Sequence, residues 1–407
     1  MASEWKTDLL GNLCLMKNGY AFKSKDFVSQ GIPVIKIKNV KPNRILVDDL
    51  SYVPADVAEQ RKKWLIEKGE ILLTMTGNRA DGSPESWVGK AAIFNESTPY
   101  LLNQRVSALK AKDEAVIDTN YLGYYLSSWQ TQLYFIKRAN SSGGQANISP
   151  EIVMNMPVHY PPLATQRKIV SILATLDQKI KTNAAINDNL ELQAQAFFQE
   201  LFVDNADPEW AIGTISDLGA VVGGSTPSKA KPEYYTETGI AWITPKDLSI
   251  NKSKFISHGE NDITELGLKN SSATIMPEGT VLFSSRAPIG YIAVAAGEVT
   301  TNQGFKSIVP KPEIGTAFVY YFLKHNLPII EGMASGSTFK EVSGSTMKGV
   351  PAVIPDTDTI ARFNDFCTPI FAQQRILEEQ NQSLAALRDN MLPKLMSGEI
   401  DVSGIQL

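Results

Sequence analysis

The chain repeats itself. Trp5-Lys-Thr-Asp-Leu-Leu-Gly is answered by Trp210-Ala-Ile-Gly-Thr-Ile-Ser-Asp-Leu-Gly, and Gly31-Ile-Pro-Val-Ile-Lys-Ile-Lys-Asn by Gly239-Ile-Ala-Trp-Ile-Thr-Pro-Lys-Asp. Lys68-Gly-Glu-Ile-Leu-Leu-Thr matches Glu278-Gly-Thr-Val-Leu-Phe-Ser, and Tyr121-Leu-Gly-Tyr-Tyr-Leu matches Phe318-Val-Tyr-Tyr-Phe-Leu. Near the end of each copy, Ile148-Ser…Met156-Pro returns as Val342-Ser…Val350-Pro. A period of about 200 residues is too long for a solenoid. It predicts a duplicated globular domain followed each time by a duplicated connector. The boundaries fall at 1–160 for the first domain, 161–205 for the first connector, 206–356 for the second domain and 357–407 for the second connector. A length of 407 residues agrees, since it predicts two or three domains.

Within each domain the apolar runs are short and punctuated by Gly, Pro, Asn and Asp, as at Ile32–Ile37, Ile71–Met75, Ala91–Phe94, Val281–Phe283 and Ile289–Ala295. That is the pattern of short strands and turns. A helical stretch follows at Thr119–Ile136, with a counterpart over Ala317–Glu331. Each half therefore reads as an α+β (mixed α/β) domain.

The connectors read differently. From Pro162 to Phe202 there is no further Gly or Pro, and apolar residues fall at Ile169, Ile172, Leu176, Ile180, Ile186, Leu190 and Phe197. The second connector has Phe363, Phe366, Ile370, Leu377, Leu384, Leu387 and Met391 before Pro393, which is expected to end or kink the helix. Spacings of mostly three and four residues over more than four turns form a heptad seam. Asn183, Gln373 and Gln380 are expected at seam positions, where polar residues fix register. A helix of about 37 residues would be about 55 Å long. Two such helices could pair with each other or with those of a partner.

Charge is uneven. By sequence, residues 1–160 carry a net +3, residues 210–356 a net −1, and residues 161–209 and 357–407 a net −3 each, giving −4 overall. This balance argues against a protein that coats nucleic acid indiscriminately. No apolar run approaches the roughly 18 residues of a membrane span, and the opening residues lack a signal pattern. A cytoplasmic, non-membrane protein is expected.

Motifs for chemistry are scarce. The three histidines, His159, His258 and His325, and the two cysteines, Cys14 and Cys367, share no metal-ligand or redox spacing. Gly82-Ser-Pro-Glu-Ser-Trp-Val-Gly-Lys-Ala imitates a phosphate loop but has the wrong spacing and lacks Ser or Thr after Lys90. There is no Gly-x-Ser-x-Gly elbow and no Asn-Pro-Pro-Tyr of the kind that holds a flipped base. No catalytic residue and no metal ligand are assigned, and no cofactor is expected in this chain.

Four polar clusters do recur at matching places with different residues. They are Lys36, Lys38, Asn39 and Lys41 against Thr244 and Lys246; Thr76, Asn78 and Arg79 against Ser285 and Arg286; Asn103, Gln104 and Arg105 against Asn302, Gln303 and Lys306; and Gln145 and Asn147 against Ser337, Thr338 and Lys340. Asn, Gln and Arg pair bidentately with adenine and guanine edges in the major groove, while Lys, Ser and Thr suit phosphates. Taken one at a time, such runs are usually plain turns. A duplicated scaffold with divergent polar loops is what a reader of two different DNA sequences requires, and these residues are the candidate DNA contacts.

The whole chain resembles the DNA-specificity subunits of type I restriction-modification systems. The resemblance rests on the domain–helix–domain–helix duplication, on Ile148-Ser-Pro…Met156-Pro-Val…Pro161-Pro-Leu-Ala-Thr-Gln-Arg-Lys-Ile-Val, and on the tail Leu392-Pro-Lys-Leu-Met-Ser-Gly-Glu-Ile-Asp-Val. It implies two target-recognition domains, each reading one half of a split, asymmetric double-stranded DNA target. It also implies that the two long helices pair as an antiparallel coiled coil through Ile169, Ile172, Leu176, Leu190, Phe363, Ile370, Leu377 and Leu384. The helices would set the half-site spacing and dock two DNA-methyltransferase (modification) subunits, with restriction/translocase subunits joining them. S-adenosylmethionine, ATP and Mg would be bound by those partners, and the partner's reaction would be adenine-N6 methylation. The competing reading is a non-enzymatic coiled-coil scaffold with two protein-binding domains; a hydrolase with a hidden site ranks third.

Overall fold

The two connectors are long helices in the computed structural model, Leu163–Gln199 and Thr357–Ser397. The structure describes residues 5–78, 88–97, 99–142, 145–336 and 340–405. The chain divides into two compact units, one comprising Met1–Gln178 with Leu384–Leu407 and the other Lys179–Ser383. Each long helix thus lends one part to each unit.

The first unit is built on an antiparallel sheet in the order Cys14–Asn18, Val106–Ala111, Ile71–Thr74, Ala91–Ile93. Side chains alternate across a strand, and both faces of this sheet are covered. Ile71 and Leu73 point into one core with Leu109, Tyr121 and Leu122. Leu72 points the other way, into a core with Ile35, Leu102 and Ala108. Burial on both sides explains why this strand reads as an unbroken apolar run. The second unit repeats the arrangement. Its sheet runs Gly219–Gly223, Lys306–Pro310, Val281–Ser285, Ile289–Ala295, Phe255–Ile256. Val281 and Phe283 face one core and Leu282 the other. Smaller sheets pair Leu101–Leu102 in parallel with Ile32–Ile35, and Thr300–Thr301 in parallel with Ile240–Ile243.

In both units the first strand lies against the last strand before the long helix: Lys6–Leu9 pairs with Pro157–Tyr160, and Ala211–Thr214 with Pro351–Ile354. The helical stretches are each broken once. Thr119–Ser127 and Trp129–Arg138 are separated at Ser128, whose backbone is extended and whose hydroxyl accepts the Thr131 N–H at 3.3 Å. A serine makes such a cap readily because its side chain competes with the helical ladder. Thr316–His325 and Leu327–Gly332 are separated at Asn326, with Pro328 in the first turn of the second piece.

The long helices run antiparallel where they pair. In the second unit Asn381 Nδ2 donates to the Ile180 carbonyl at 3.2 Å, Asn183 Nδ2 to Gln380 Oε1 at 3.3 Å, and Gln374 Nε2 to the Asn187 carbonyl at 3.3 Å. Numbers rise on one helix as they fall on the other. In the first unit Arg388 Nη1 reaches Asp177 at 2.7 Å, and Asp177 also accepts the Tyr124 hydroxyl at 2.6 Å. The seam departs from the apolar count. Leu173, Asn183 and Ala194 are buried, Ile172 is half-buried, and Ile186 is 43% exposed. On the second helix Phe363, Cys367, Gln374 and Leu377 are buried, whereas Phe366, Gln373 and Leu387 are exposed. Gln374, not Gln373, occupies the seam, and Gln380 is exposed while accepting from Asn183. Ile169, Phe363, Ile370 and Leu377 are buried, so a frame drawn through apolar residues slips by one only in places, as at Cys367 and Gln374, where the seam position holds Cys or Gln. Nor does Pro393 end the second helix, which continues to Ser397. Leu392, Leu395 and Met396 are anchored in the core of the first unit, and a proline near a helix end removes only one backbone bond.

Candidate nucleic-acid interface

The turn after Ile32–Ile35 and its counterpart after Ile240–Ile243 are built alike. In the first, Asn39 is buried: its Oδ1 accepts the Lys36 N–H at 3.0 Å and its Nδ2 donates to the Leu46 and Asp49 carbonyls at 3.1 and 3.0 Å. In the second, Asp247 Oδ2 accepts the Thr244 N–H at 2.7 Å and the Thr244 hydroxyl at 2.6 Å. Asn39 and Thr244 are therefore committed to closing these turns. Among the lysines, Lys38 Nζ lies 2.5 Å from Asp49, and Lys246 Nζ 2.6 Å from Glu260. Lys36 sits over the Phe27 ring at 3.7 Å, and burial together with the neighbouring Lys38 ammonium pushes its pKa down. Lys41 is half-buried in a hairpin strand.

The second, third and fourth clusters meet in the first unit. Arg105 Nη1 lies 3.1 Å from both Thr76 Oγ1 and Asn147 Oδ1, and the Thr76 hydroxyl donates to Asn147 Oδ1 at 2.7 Å. Thr76 is buried, Asn147 half-buried and Arg105 exposed. Asn103 is half-buried, while Gln104, Asn78 and Gln145 are exposed nearby in sequence. The Asn103 turn is positioned by a close backbone approach, since a Cβ on Gly19 would collide with the Asn103 carbonyl oxygen. A Cβ on Gly224 would collide in the same way with the Asn302 carbonyl oxygen, so both turns need glycine opposite them.

In the second unit three clusters line one open cleft of about 690 Å³, whose wall includes Thr244, Lys246, Arg286, Asn302 and Gln303 together with Trp242. Arg286 also borders an adjoining cleft of about 580 Å³ with Lys340 and Glu341. Its Nη1 lies 3.2 Å from Glu341 Oε2, and Lys306 Nζ lies 3.7 Å from the other carboxylate oxygen. Ser285 is buried, with its hydroxyl on the Gly304 carbonyl at 3.1 Å, and Asn302 Oδ1 accepts the Gly304 N–H at 2.8 Å. The exposed Gln303 contacts the Thr226 hydroxyl. Arg79, Ser337 and Thr338 lie outside the described residues. Trp242, Thr226, Lys229 and Glu341 were not marked by sequence; Glu341 was legible only through its match with Asn147, one residue before the aligned Ile148 and Val342.

The family described as the type I restriction modification DNA specificity domain matches residues 2–192 and again 208–386. The chain belongs to this family. The specificity subunit of the type I restriction enzyme MjaIX of Methanocaldococcus jannaschii is 39% identical over 191 residues, which is 45% of this chain and 44% of that protein. The HindI specificity subunit of Haemophilus influenzae is 25% identical over 481 aligned positions, covering 98% of this chain and 100% of that protein. The fold is similar to that of the S subunit of a type I restriction-modification system from M. genitalium, with a TM-score of 0.59 at 15% identity, covering 97% of this chain and 96% of that one. The family match occurs twice, as the duplication does, and each match contains one set of the polar clusters. Among the described residues, no group of three or more His, Cys, Asp or Glu is arranged to hold a metal ion. No helix among them is long and apolar enough to cross a membrane.

Proposed function

We propose that this chain is the DNA-specificity subunit of a type I restriction-modification complex, with each duplicated domain reading one half of a split, asymmetric double-stranded DNA target. The observation that supports it is the duplicated scaffold with divergent corners: Thr76, Arg105 and Asn147 together in one unit, Arg286, Lys306 and Glu341 together in the other. Equal scaffolds place the readers at matching positions; unequal side chains let the two halves of the target differ. The domains span residues 1–160 and 206–356, with the helical connectors between and after them.

The helices set the spacing between half-sites and dock the methyltransferase subunits, in two copies. At about 1.5 Å per residue the first helix is about 55 Å long, about one and a half turns of duplex at about 34–36 Å each. Their net negative charge suits a face turned toward protein and away from phosphates. Adenine-N6 methylation, and the binding of S-adenosylmethionine, ATP and Mg, belong to the modification and restriction/translocase partners; this chain contributes recognition.

Of the candidate DNA-binding residues, Arg79, Arg105 and Lys340 are placed on DNA first, followed by the exposed Asn78, Gln104, Gln145, Gln303 and Lys246. Alanine at Arg79, Arg105 or Lys340 is expected to lower the affinity of the assembled complex for its target duplex, measured by titration at several salt concentrations. Where the lost contact is to a phosphate and not to a base edge, the variant also reduces the slope of log affinity against log salt by about 0.9. Unchanged affinity and slope in all three variants would remove these residues from the interface, and a complex with no salt-sensitive DNA binding would favour the scaffold reading.

A further inference from the structure

The two domains share one corner of backbone, closed in each by the same two hydrogen bonds. In the first unit the Met75 N–H donates to the Arg105 carbonyl at 2.9 Å, and the Ile148 N–H to the Met75 carbonyl at 3.0 Å. In the second unit the Ser285 N–H donates to the Gly304 carbonyl at 2.7 Å, and the Val342 N–H to the Ser285 carbonyl at 3.0 Å. Met75 therefore corresponds to Ser285, Arg105 to Gly304 and Ile148 to Val342. It follows that Thr76 corresponds to Arg286, and Asn147 to Glu341.

Both corners hold a guanidinium, supplied from different turns, one just before Val106–Ala111 and the other just after Val281–Ser285. In the first unit it comes from position 105 and rests its Nη1 on Thr76 and Asn147, at 3.1 Å from each. In the second, position 105 has become Gly304, and the guanidinium comes from Arg286, at the place of Thr76. It rests its Nη1 on Glu341, at the place of Asn147, at 3.2 Å. The arginine has moved from one wall of the corner to the other, while the residue that holds it has kept its position. A site needing only positive charge would not require a held fork, because a lysine serves a phosphate as a point charge. With Nη1 engaged, the Nε and Nη2 donors form the other edge of each fork, and that edge matches the O6 and N7 acceptors of guanine. Among the described residues no group pairs with that edge of Arg105. In the second corner Glu341 also offsets the positive charge, which weakens any phosphate attraction there but leaves base-edge geometry intact.

We infer that Arg105 and Arg286 each read a guanine, one in each half of the DNA target, and that Asn147 and Glu341 are positioning residues that hold the two forks. This deepens the specificity-subunit reading and rests on it.

The test uses the full chain purified with its co-purifying methyltransferase subunits and a pool of duplexes with randomised positions. Bound duplexes are sequenced. The unaltered complex is expected to select a split motif with a G·C pair in each half. Arg105→Ala should lower the preference for that pair by roughly 5- to 150-fold in one half and leave the other half untouched. Arg286→Ala should do the same in the opposite half. Arg105→Lys, which keeps charge and bulk, should lose the preference like the alanine variant, and it decides the matter if the alanine variant fails to assemble. Asn147→Ala should weaken the same base position as Arg105→Ala, an effect that a purely structural role would not confine to one base pair. The inference is overturned if either arginine variant weakens all duplexes alike with a shallower salt slope, if base preferences stay unchanged, or if a half-site contains no G·C pair. If the unaltered complex selects no sequence at all, the specificity-subunit reading itself fails.

Discussion

Lys254→Met is expected to destabilise the second unit by about 3–5 kcal/mol, the usual result of removing one partner from a buried ion pair. For a unit of this size that is a fall in thermal midpoint of roughly 6–20 °C. The side chain of Lys254 is only 5% exposed. Its ammonium pairs with Glu191, donates to Gln374 Oε1 at 2.6 Å and to the Tyr321 hydroxyl at 3.3 Å, and lies 4.1 Å from the Phe371 ring centre. Glu191 and Gln374 come from the two long helices, so this one lysine ties the second domain to both helical segments of its unit. Methionine leaves Glu191 with Lys324 as its remaining cation, at 2.6 Å. Replacing Glu191 as well, by Gln, should recover part of the loss, because the largely buried carboxylate is then gone and the Lys324 ammonium, 36% exposed, keeps contact with water. A midpoint shift under about 2 °C for Lys254→Met, a third of the smallest fall expected, would contradict the account.

The same cluster sets a pH dependence. Burial alone would push the Glu191 carboxyl up, but the Lys254 and Lys324 ammonium groups outweigh it and hold the group down at about 2. A carboxyl whose pKa is depressed on folding adds stability that is present above its unfolded value near 4.5 and is lost as the pH falls toward 2. The contribution is roughly 3 kcal/mol. Glu378 acts in the opposite sense. Burial raises its pKa, although the Lys254 and Phe255 N–H groups donate to it at 2.9 and 3.0 Å, so it offsets part of the acid loss.

The second large effect is at the helix seam. Phe363→Ala should cost about 3–5 kcal/mol, measured by denaturant unfolding. Phe363 is fully buried, with the rings of Phe202, Phe198, Phe197 and Tyr321 at 5.2, 5.8, 6.0 and 6.1 Å. Phe366 lies three residues along the same helix, is 39% exposed and packs against Phe197 at 4.6 Å. Phe366→Ala should therefore cost clearly less. Equal losses at the two positions would place the seam in the frame drawn from apolar residues alone.

That frame shows where the sequence was and was not readable. The duplication, the short strands around Leu72 and Leu282 and the existence of two long helices all followed from patterns in which residue type and burial agree. The seam slipped where they disagree, at Ala194, Gln374 and Cys367, because the polar and small residues there are buried by position. The candidate site was legible as a set of loops but not as roles. Asn39 and Thr244 have the residue types of a DNA reader and are used as turn closures, since the same amide or hydroxyl serves both purposes. The exchange of the arginine between positions 105 and 286 could not be read along the chain, because the two residues are not aligned; only the matching backbone bonds bring them to one corner.

The most direct test of the central claim is to isolate the tagged chain from its own cells and map adenine methylation in the genome with and without it. The account predicts that a methyltransferase co-purifies and that methylation at a split, asymmetric motif disappears when the chain is removed. An unchanged methylation map with no methyltransferase bound would contradict it.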